Sequence, residues 1–462
     1  SDVYKRQKIG NSMHLHSKKG LNIPITGSLD NLEILEKKSI SSHIALDLTS
    51  FTIRIRLLVK KGDEVLLGEP IAEERDFPER KFVSPAGGVI TDIVRGEKRR
   101  PLYVVVKVSE KEKVYKHTQI DIEKSSIEEI LAVFLENGIF TKIYQRPYNI
   151  LASPKRMPQA IFIVGASSAP YVPSPILQTI GYEKWFQAGL TLLARIAPVH
   201  ITHNTKKTFF PQTANVHQHT LTGPHPIANV SFAIYHINPI IKLTDLVWTI
   251  QACDVVNIGK LALEGKLHCS RIIAICGDGI LPESRNLIRL REGSQIDHII
   301  NKRLQDGNIR IISGDPLIGR QVTREDFLGM FHYVVCALYE REKKRKLFSF
   351  LRLGTQTFTA TRAYLSGFYR NRSYQFTTNQ HGETRAFVDA SLYDKVMPMR
   401  IPTMHLIKAI LIQDFELAEE LGLLEVAEED FALASFICPS KIDMVEIVKK
   451  GLITASEQRV LT

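Results

Sequence analysis

Cysteine is scarce in this chain and never occurs in closely spaced pairs. The 462 residues include five cysteines, and at least six other residues separate any two of them: Cys253, Cys269, Cys276, Cys336 and Cys438. Without a C-x-x-C pair, the sequence lacks the local ligands of an iron–sulfur cluster or a zinc knuckle. An odd number of cysteines also argues against a secreted disulfide framework. The composition therefore favours a reducing cytoplasm.

Long apolar runs are missing as well. A membrane-spanning helix requires roughly 20 mainly apolar residues. The longest stretch without Asp, Glu, Lys or Arg covers residues 208–241, but prolines and histidines interrupt it. Residues 1–17 contain no apolar segment of the kind found in a secretory signal, so we expect them to form a flexible tail.

Positive charge is in excess and is unevenly distributed. Sixty lysines and arginines face 49 acidic residues, so the formal net charge is +11 and an anionic partner or surface is expected. The segment from Glu340 to Arg385 contains ten basic and three acidic residues, interleaved with aromatic residues such as Phe350, Tyr364 and Tyr369. Such a stripe can bind single-stranded nucleic acid. No nucleic-acid-binding motif accompanies it, so a solvated face or a partner-docking surface is favoured.

The first folded unit is predicted to be a β structure. Apolar residues at 51, 53, 55 and 57 alternate with polar ones, which is the pattern of a half-buried strand. The spacing of valine and glycine over Val59–Gly68, followed by Ser84-Pro85, resembles the biotinyl/lipoyl carrier fold, a flattened barrel of two similar halves.

The carrier lysine of that fold has no counterpart in this sequence. Carriers present the modified lysine on the hairpin between the two halves, eight residues before the proline. That position holds Phe77, and the nearest lysine, Lys81, comes four residues too late. The sequence therefore predicts the carrier scaffold without the carrier chemistry.

The middle of the chain alternates helical and strand patterns, which is typical of an open α/β sheet. Apolar residues at helical spacing predict helices over 127–135 and 182–196. A short apolar run predicts a buried strand over 161–164.

Glycine-rich phosphate-binding loops are not found in this region. Gly165 stands alone after the predicted strand. In the later motif that begins with Gly277 and Gly279, Pro282 replaces the third glycine of the dinucleotide fingerprint. We therefore interpret the second motif as a hairpin turn.

The end of the chain is predicted to be a small helical bundle. A helix over 404–421 should stop at Gly422, and Pro439 should break the next helix. The spacing within Ser440–Asp443 resembles a capping box for a last helix that ends at Gly451.

Taken in order, these segments resemble the NqrA family, the A subunits of the bacterial sodium-translocating NADH:quinone oxidoreductase. The resemblance runs from Lys18 almost to the C-terminus and rests on the order and spacing of several stretches. These stretches are Val59–Gly68, Ser84–Arg99, Phe186–Leu190, Gly223–Pro226, Ile311–Gly319 and Thr359–Arg362.

The resemblance implies an α+β multidomain fold with four folded domains. They would be a biotinyl/lipoyl-like β barrel-sandwich hybrid, a Rossmann-like α/β domain, a β-grasp domain of the soluble-ligand-binding type and a C-terminal helical bundle. The expected boundaries are 18–113, 114–267, 268–340 and 396–462. A basic, aromatic-rich connecting region would cover 341–395.

The resemblance also implies a function. The chain would be a cofactor-free subunit on the cytoplasmic face of the inner membrane, in a complex that passes electrons from NADH to quinone and exports sodium. Its partners would be the other five subunits, above all the membrane-embedded B subunit. The flavins, the iron–sulfur centre and quinone would be held by these five subunits. The related flavin-bearing subunit of complex I and the C subunit of the Rnf complex carry cysteine-bound clusters in the helical region, where this chain has Cys438 alone.

Other classes of function stay open at this point. One is a stand-alone carrier-like or ligand-binding scaffold, and a second is an Rnf-type electron-transfer subunit that has lost its clusters. A third is a nucleic-acid-binding protein that uses the basic stripe over Glu340–Arg385.

A quinone contact is a further hypothesis. Residues 208–241 carry no formal charge but include four histidines, and Trp248 follows soon after. A quinone requires an apolar slot for its ring and tail and one or two donors for its carbonyl oxygens. Phe232, His236 and Trp248 are the candidate contacts. Strands and turns of the α/β core, with histidines bonded to the backbone, are the more ordinary interpretation.

Overall fold

The N-terminal segment contributes strands to two distant sheets. The structure, a computed structural model, describes residues 12–29, 32–36, 41–204, 213–340, 353–361, 363–369, 372–380 and 384–461. Two short strands come first, β1 (His14–His16) and β2 (Ile34–Glu36). β1 pairs in parallel with residues 220–222, so these three residues lie at a sheet edge and not in the flexible tail expected over 1–17. Residues 1–11 of that tail lie outside the described residues.

The N-terminal domain is a sandwich of a four-stranded and a three-stranded sheet. Its strands are β3 (His43–Asp47), β4 (Ile55–Leu57), β5 (Glu64–Val65), β6 (Pro70–Glu74), β7 (Lys81–Val83), β8 (Gly88–Arg95) and β9 (Pro101–Val108). Phe51 and Phe82 pack edge to face in the core, with ring centroids 5.0 Å apart. The strand predicted over 51–57 is shorter than expected, because only residues 55–57 pair with β6 although the alternation of burial begins at Phe51.

The second domain is built on a seven-stranded sheet with helices on both faces. Its helices are α1 (Ile127–Glu136), α2 (Glu183–Ile196), α3 (Val230–Ile237) and α4 (Ala252–Glu264). Its strands are β10 (Tyr144–Arg146), β11 (Ile150–Leu151), β12 (Ala160–Val164), β13 (Val199–His203), β14 (Val216–Thr222) and β15 (Val247–Gln251). The strand order is β1-β14-β13-β12-β15-β10-β11, and all pairs from β1 to β15 are parallel. The predicted helices and the predicted strand of this region are confirmed.

Alternate residues of β12 enter two different cores. Ile161 and Ile163 pack with α1, α2 and α4 on one face of the sheet. Phe162 packs on the other face, with α3 and the C-terminal helices. The sheet therefore separates two apolar layers, as expected for a parallel sheet that is covered on both sides.

The third domain is a mixed sheet with one short helix. Its strands are β16 (Ser270–Cys276), β17 (Asn286–Arg291), β18 (Ile309–Ser313), β19 (Arg320–Val322) and β20 (Val334–Tyr339), and its helix is α5 (Ile296–Ile300). The order is β19-β18-β20-β16-β17-β2. β16 and β17 are antiparallel neighbours, so the hairpin predicted at Gly277 is confirmed. Gly277 has φ +102° and a Cβ there would lie 2.2 Å from the carbonyl oxygen of Ala337, so the turn requires glycine.

The C-terminal region is helical, but its helices differ from the predicted ones. They are α6 (Ser391–Asp394), α7 (Thr403–Leu411), α8 (Phe415–Glu420), α9 (Ala432–Ile437) and α10 (Met444–Leu461). The single helix predicted over 404–421 is wrong, because Gln413 has φ +60° and Asp414 starts a new helix by accepting a hydrogen bond from the Leu417 N–H. Gly422 lies in the left-handed region at φ +101°, as predicted for a helix end.

The predicted limits of the last helix are also wrong. Asp443 accepts the Glu446 N–H at its start, whereas the Ser440 hydroxyl donates to the Ala386 carbonyl. The helix continues past Gly451, because this glycine serves close packing: a Cβ there would lie 2.6 Å from the Ile410 side chain. In the part of the chain that the structure describes, no helix is both long and apolar enough to cross a membrane.

Two glycines allow α2 and α4 to approach closely. A Cβ at Gly259 would lie 1.6 Å from the carbonyl oxygen of Trp185, and a Cβ at Gly189 would lie 2.2 Å from that of Val255. Both obstacles are backbone atoms, which cannot move without a shift of a whole helix. The distance between these helices is therefore fixed by the absence of side chains.

We expect Gly259→Ala to lower the free energy of unfolding by about 3 kcal/mol, because the new methyl group forces the two helices apart. Urea unfolding followed by circular dichroism measures the change. Gly96→Ala is the control: it adds the same methyl group at a position with φ −97°, where the nearest atom is the terminal Cδ1 of the half-buried Leu102 at 3.0 Å, and should change stability by less than about 1 kcal/mol. Equal losses in the two variants would contradict the argument.

Candidate functional site

The position of the missing carrier lysine lies at the tip of the hairpin between β6 and β7. Phe77 is half-buried there, with the Arg80 guanidinium 5.6 Å and the Lys155 ammonium 5.2 Å from its ring centroid. The ring thus lies close to two cations, each of which is attracted to its π face. This hairpin presents a packed aromatic ring where a carrier presents a flexible lysine.

Lys81, the nearest lysine in sequence, is engaged in the interior. Its ammonium lies 2.5 Å from a carboxylate oxygen of the buried Glu73, which Arg56 also contacts. The hydrogen bond from Lys81 outweighs the opposing effect of burial and lowers the pKa of Glu73. Because the Lys81 ammonium balances a buried carboxylate, it is not available at the hairpin tip.

Three histidines form a ladder on β13 and β14. His200 and His217 are directly paired, with stacked rings 5.2 Å apart, and Nδ1 of His200 lies 2.9 Å from Nε2 of His219. The Met13 N–H donates to Nδ1 of His219 at 3.2 Å. Neutral His219 must therefore carry its proton on Nε2 and donate it to His200, which fixes the tautomers of both rings.

Both hydrogen-bonded histidines of the ladder are uncharged at neutral pH. Burial, assisted by repulsion from neighbouring histidines, lowers the pKa of His200 to about 3 and that of His219 to about 4. The pKa of His225, on the loop before α3, is lowered to about 4 by burial. The density of histidine in this part of the sequence thus reflects a neutral, hydrogen-bonded part of the sheet.

The three candidate quinone contacts do not lie together. Phe232 and His236 are neighbours on α3, with ring centroids 4.3 Å apart, and Nδ1 of His236 lies 2.8 Å from the Phe232 carbonyl oxygen. Trp248 is fully buried on β15 and packs against Phe140 on the opposite face of the sheet. A quinone contact therefore stays a prediction, and Trp248 packs on the other face of the sheet from the pair on α3.

An open cavity lies where the first three domains meet. It has a volume of about 460 Å³, and its walls include Ser41 and Glu112 of the first domain, Trp185 and Lys260 of the second, and Arg289 of the third. We call it the three-domain cleft. Its volume is in the range of small-molecule sites in proteins.

An aromatic cluster with two cations forms one wall of the cleft. Tyr182 and Trp185 are stacked, with ring centroids 5.0 Å apart and an interplanar angle of 6°. The Arg289 guanidinium lies 5.0 Å from the Tyr182 centroid, and the Lys260 ammonium lies 4.7 Å from the Trp185 centroid. His268 contacts Tyr182 edge-on at 4.4 Å. Sequence reasoning missed this wall, because Tyr182 and Arg289 come from different domains and no local motif connects them.

Four charged side chains lie behind the cleft at the junction of the second and third domains. The Lys142 ammonium lies 3.3 Å from Asp254 and 3.0 Å from Glu292, and Arg271 lies 3.1 Å from Glu292. Burial alone would lower the pKa of Lys142, but attraction by Glu292 and Asp254 outweighs it and the pKa is raised. Two positive and two negative groups thus balance one another in the interior.

Among the described residues, no group of three or more His, Cys, Asp and Glu side chains is arranged to hold a metal ion. The histidine ladder is consistent with this, since its ring nitrogens bond to one another and to the backbone.

Three family models match the chain, one for each of the first three domains. They are the NqrA N-terminal barrel-sandwich hybrid domain over residues 15–109, the NqrA second alpha/beta domain over 125–267, and the NQRA C-terminal domain, of the SLBB type, over 272–324. Fold and matches together define a multidomain protein in which a barrel-sandwich hybrid precedes an α/β domain and an SLBB domain.

Curated relatives match over nearly the whole chain. The A subunit of the Na(+)-translocating NADH-quinone reductase of Chlamydia pneumoniae is 36% identical, over 97% of this chain and 99% of the relative. The same protein is 35% identical in Chlamydia caviae, over 94% and 95% of the two chains. In Yersinia pseudotuberculosis serotype I it is 32% identical, over 96% and 99%. The chain therefore belongs to the NqrA family, the A subunits of the Na(+)-translocating NADH-quinone reductase.

A solved structure also shows partial similarity. The NAD+-reducing [NiFe]-hydrogenase in its air-oxidized state overlaps 39% of this chain and 40% of its own, with 12% identity and a TM-score of 0.28. An overlap this low supports no conclusion about fold or function.

The family membership confirms the resemblance stated from the sequence and makes the chain a subunit of the Na+-pumping NADH:quinone reductase complex.

The histidine ladder predicts a loss of stability in acid. The folded-state pKa values of His200 and His219 lie below the ordinary value near 6.5, so only the unfolded chain takes up protons as the pH falls below about 6.5. Their contribution to stability is complete above that pH. We expect it to be reduced by about 2 kcal/mol per histidine at pH 5.

Replacement of both histidines by glutamine should therefore make the free energy of unfolding less dependent on pH between 7.5 and 5. Urea unfolding at several pH values measures this slope. His405→Gln, at an exposed position of α7, is the control and should leave the slope unchanged. If the double variant keeps the slope of the original chain, the two rings do not stay neutral in the folded protein.

Proposed function

We propose that this chain is the cofactor-free, peripheral subunit of its complex, docked on the cytoplasmic face of the membrane part through the B subunit. The assignment as a cofactor-free subunit rests on the hairpin between β6 and β7. Phe77 occupies the position of the modified lysine, and Lys81 is held by the buried Glu73. A domain with this scaffold but no attachment site is suited to protein contacts rather than to carrying a group.

The finer fold assignments belong to the same proposal. The two-sheet sandwich with its hairpin between β6 and β7 supports a biotinyl/lipoyl-like barrel. The run of parallel strands from β1 to β15 supports a Rossmann-like domain, and the mixed sheet around β16 and β20 supports a β-grasp domain. The helices after residue 391 support a C-terminal bundle.

Docking is proposed to use the basic, aromatic-rich stripe over Glu340–Arg385. In its described part, Phe368 is 63% exposed, and the Arg372 guanidinium lies 5.9 Å from the Tyr369 ring and 5.8 Å from the Tyr374 ring. Exposed aromatic rings supported by arginine are typical of the energetically important centres of protein interfaces. The lysine-rich run over 343–346 lies outside the described residues.

A quinone contact is part of the proposal only through α3. Phe232 and His236 provide an aromatic ring and an imidazole side by side, which is the chemistry that a quinone ring and carbonyl require. The membrane subunits would then hold the remainder of that site.

We expect the purified chain to carry no flavin, iron–sulfur, biotinyl or lipoyl group, because it has no C-x-x-C pair, Pro282 breaks the glycine fingerprint and the attachment position holds Phe77. Its absorption spectrum should show no band in the visible region, and its intact mass should equal that calculated from the sequence. Phe77→Lys, which restores an amine at the hairpin tip, is the positive control for modification in the expression host. A visible flavin or cluster band, or an added mass in the unmodified chain, would overturn the cofactor-free assignment.

We expect the double reversal of Lys343 and Lys344 to glutamate to weaken association with the membrane complex. Basic residues near an anionic surface contribute about 1 kcal/mol each, and this contribution is screened at high salt. Co-purification of the chain with the other subunits at several ionic strengths measures the effect. Reversal of the exposed Lys449 and Lys450 on α10 is the matched control. Unchanged yield at every ionic strength would show that the run is only a solvated face.

A further inference from the structure

We infer that the three-domain cleft is a binding site for a mononucleotide-like ligand, a small aromatic molecule that carries a phosphate group. This inference concerns the cleft alone and does not depend on how the chain docks in its complex.

The cleft is formed by the assembled chain rather than by any one domain. Leu67 and Glu112 come from the first domain, Trp185 and Lys260 from the second, and Ser270 and Arg289 from the third. Its volume of about 460 Å³ is suited to a molecule of nucleotide size. Since many ligands bind at interfaces between domains, a cleft at a triple junction is a natural candidate.

The aromatic part of the ligand is indicated by the wall of Tyr182, Trp185 and His268. The three rings contact one another at centroid distances of 4.4 to 5.5 Å, so they form one continuous apolar surface. The Trp185 indole N–H donates to Glu264 at 2.8 Å, which fixes the orientation of the ring. Because Tyr182 and Trp185 already stack on each other and cations lie over both rings, the wall favours a planar ring system through edge-on contacts.

The anionic part is indicated by the charge balance of the walls. Arg291 is paired with Glu112 at 2.5 Å, and Glu292 behind the cleft is balanced by Lys142 and Arg271. Lys260 and Lys266 remain, and among the described residues neither forms an ion pair with an acidic side chain. Among the described residues, Glu264 is the one carboxylate whose attraction raises the pKa of Lys260. The two lysines therefore leave an excess of positive charge in the walls of the cleft.

Lys260 is held at an energetic cost that an anion would offset. Burial lowers its pKa, and the opposing attraction by Glu264 does not restore it. Its ammonium lies over the Trp185 ring at 4.7 Å, so the charge and the aromatic surface are adjacent. A half-buried cation next to an aromatic wall matches a ligand in which charge and ring are linked.

Phosphate fits the available donors better than carboxylate does. Lys260, Lys266 and Ser270 line the same cleft, and together they carry two ammonium groups and one hydroxyl. Three donor groups match the three terminal oxygens of a phosphate monoester, which carries a charge of about −1.5 to −2 at pH 7. A carboxylate offers two oxygens and a single charge.

Isothermal titration of the full chain with AMP, adenosine and inorganic phosphate tests the inference. AMP presents both parts of the proposed ligand, adenosine only the ring and phosphate only the anion. We expect AMP to bind at least tenfold more tightly than either of the other two. Equal affinity for AMP and phosphate would overturn the aromatic part, equal affinity for AMP and adenosine would overturn the anionic part, and no binding of AMP at millimolar concentration would overturn the site.

Trp185 provides a second, local measurement. The chain has two tryptophans, and Trp248 is fully buried, so Trp248→Phe leaves Trp185 as the single emitter. Addition of AMP should change its emission with the dissociation constant obtained by titration. A bound ligand that leaves Trp185 emission unchanged would place the site elsewhere and overturn the assignment.

Removal of single positive charges tests whether the two lysines of the cleft bind the phosphate group. Lys260→Gln and Lys266→Gln should each weaken AMP binding about tenfold, the effect of losing one charged hydrogen bond, and leave adenosine binding unchanged. Lys450→Gln on α10 is the matched control, because it removes one exposed positive charge far along the chain. If Lys450→Gln weakens AMP binding as much as the cleft variants do, the anion is attracted by the net charge of the protein and the site is overturned.

Discussion

The architecture depends on one buried group of four charges. Lys142 and Asp254 belong to the second domain, and Arg271 and Glu292 belong to the third. Removing one member of such a group leaves an uncompensated charge in the interior, which costs several kcal/mol, whereas the complete group is electrically balanced. The two domains are therefore held in a single relative position in which all four charges have partners. Arg271 and Glu292 directly follow Ser270 and Arg291 of the cleft wall, so the group lies next to the three-domain cleft.

Local packing then fixes the finer geometry around that junction. Gly189 and Gly259 bring α2 and α4 into backbone contact, and α2 begins with the residues that carry the stacked Tyr182 and Trp185. The aromatic wall is thus attached to a helix pair that cannot slide. The tip of the hairpin in the first domain is occupied by the packed ring of Phe77. The three-domain cleft, by contrast, is open to solvent and can accept a ligand.

Features that depend on neighbours in sequence could be predicted, and features that depend on neighbours in space could not. The helices over 127–135 and 182–196 and the hairpin at Gly277 are predictable because periodicity and turn chemistry are local. Gly422 and Gly451 carry the same local signal for a helix end, but only the first ends a helix, since the second faces Ile410 of another helix.

The candidate site follows the same rule. Trp248 and His236 are close in sequence, but the face on which a strand residue lies is set by the register of the sheet. The contact between Tyr182 and Arg289 joins residues 107 positions apart, and no pattern in the sequence relates them.

The short strands β1 and β2 have a consequence for the autonomy of the domains. Both strands precede the first domain in the sequence. β1 forms the outer strand beside β14 in the second domain, and β2 forms the outer strand beside β17 in the third. A fragment that starts after the barrel would expose both of these sheet edges, and unpaired edges recruit other chains. The strands β1 and β2 therefore cover two sheet edges, and the three domains share segments of the chain instead of following one another as independent units.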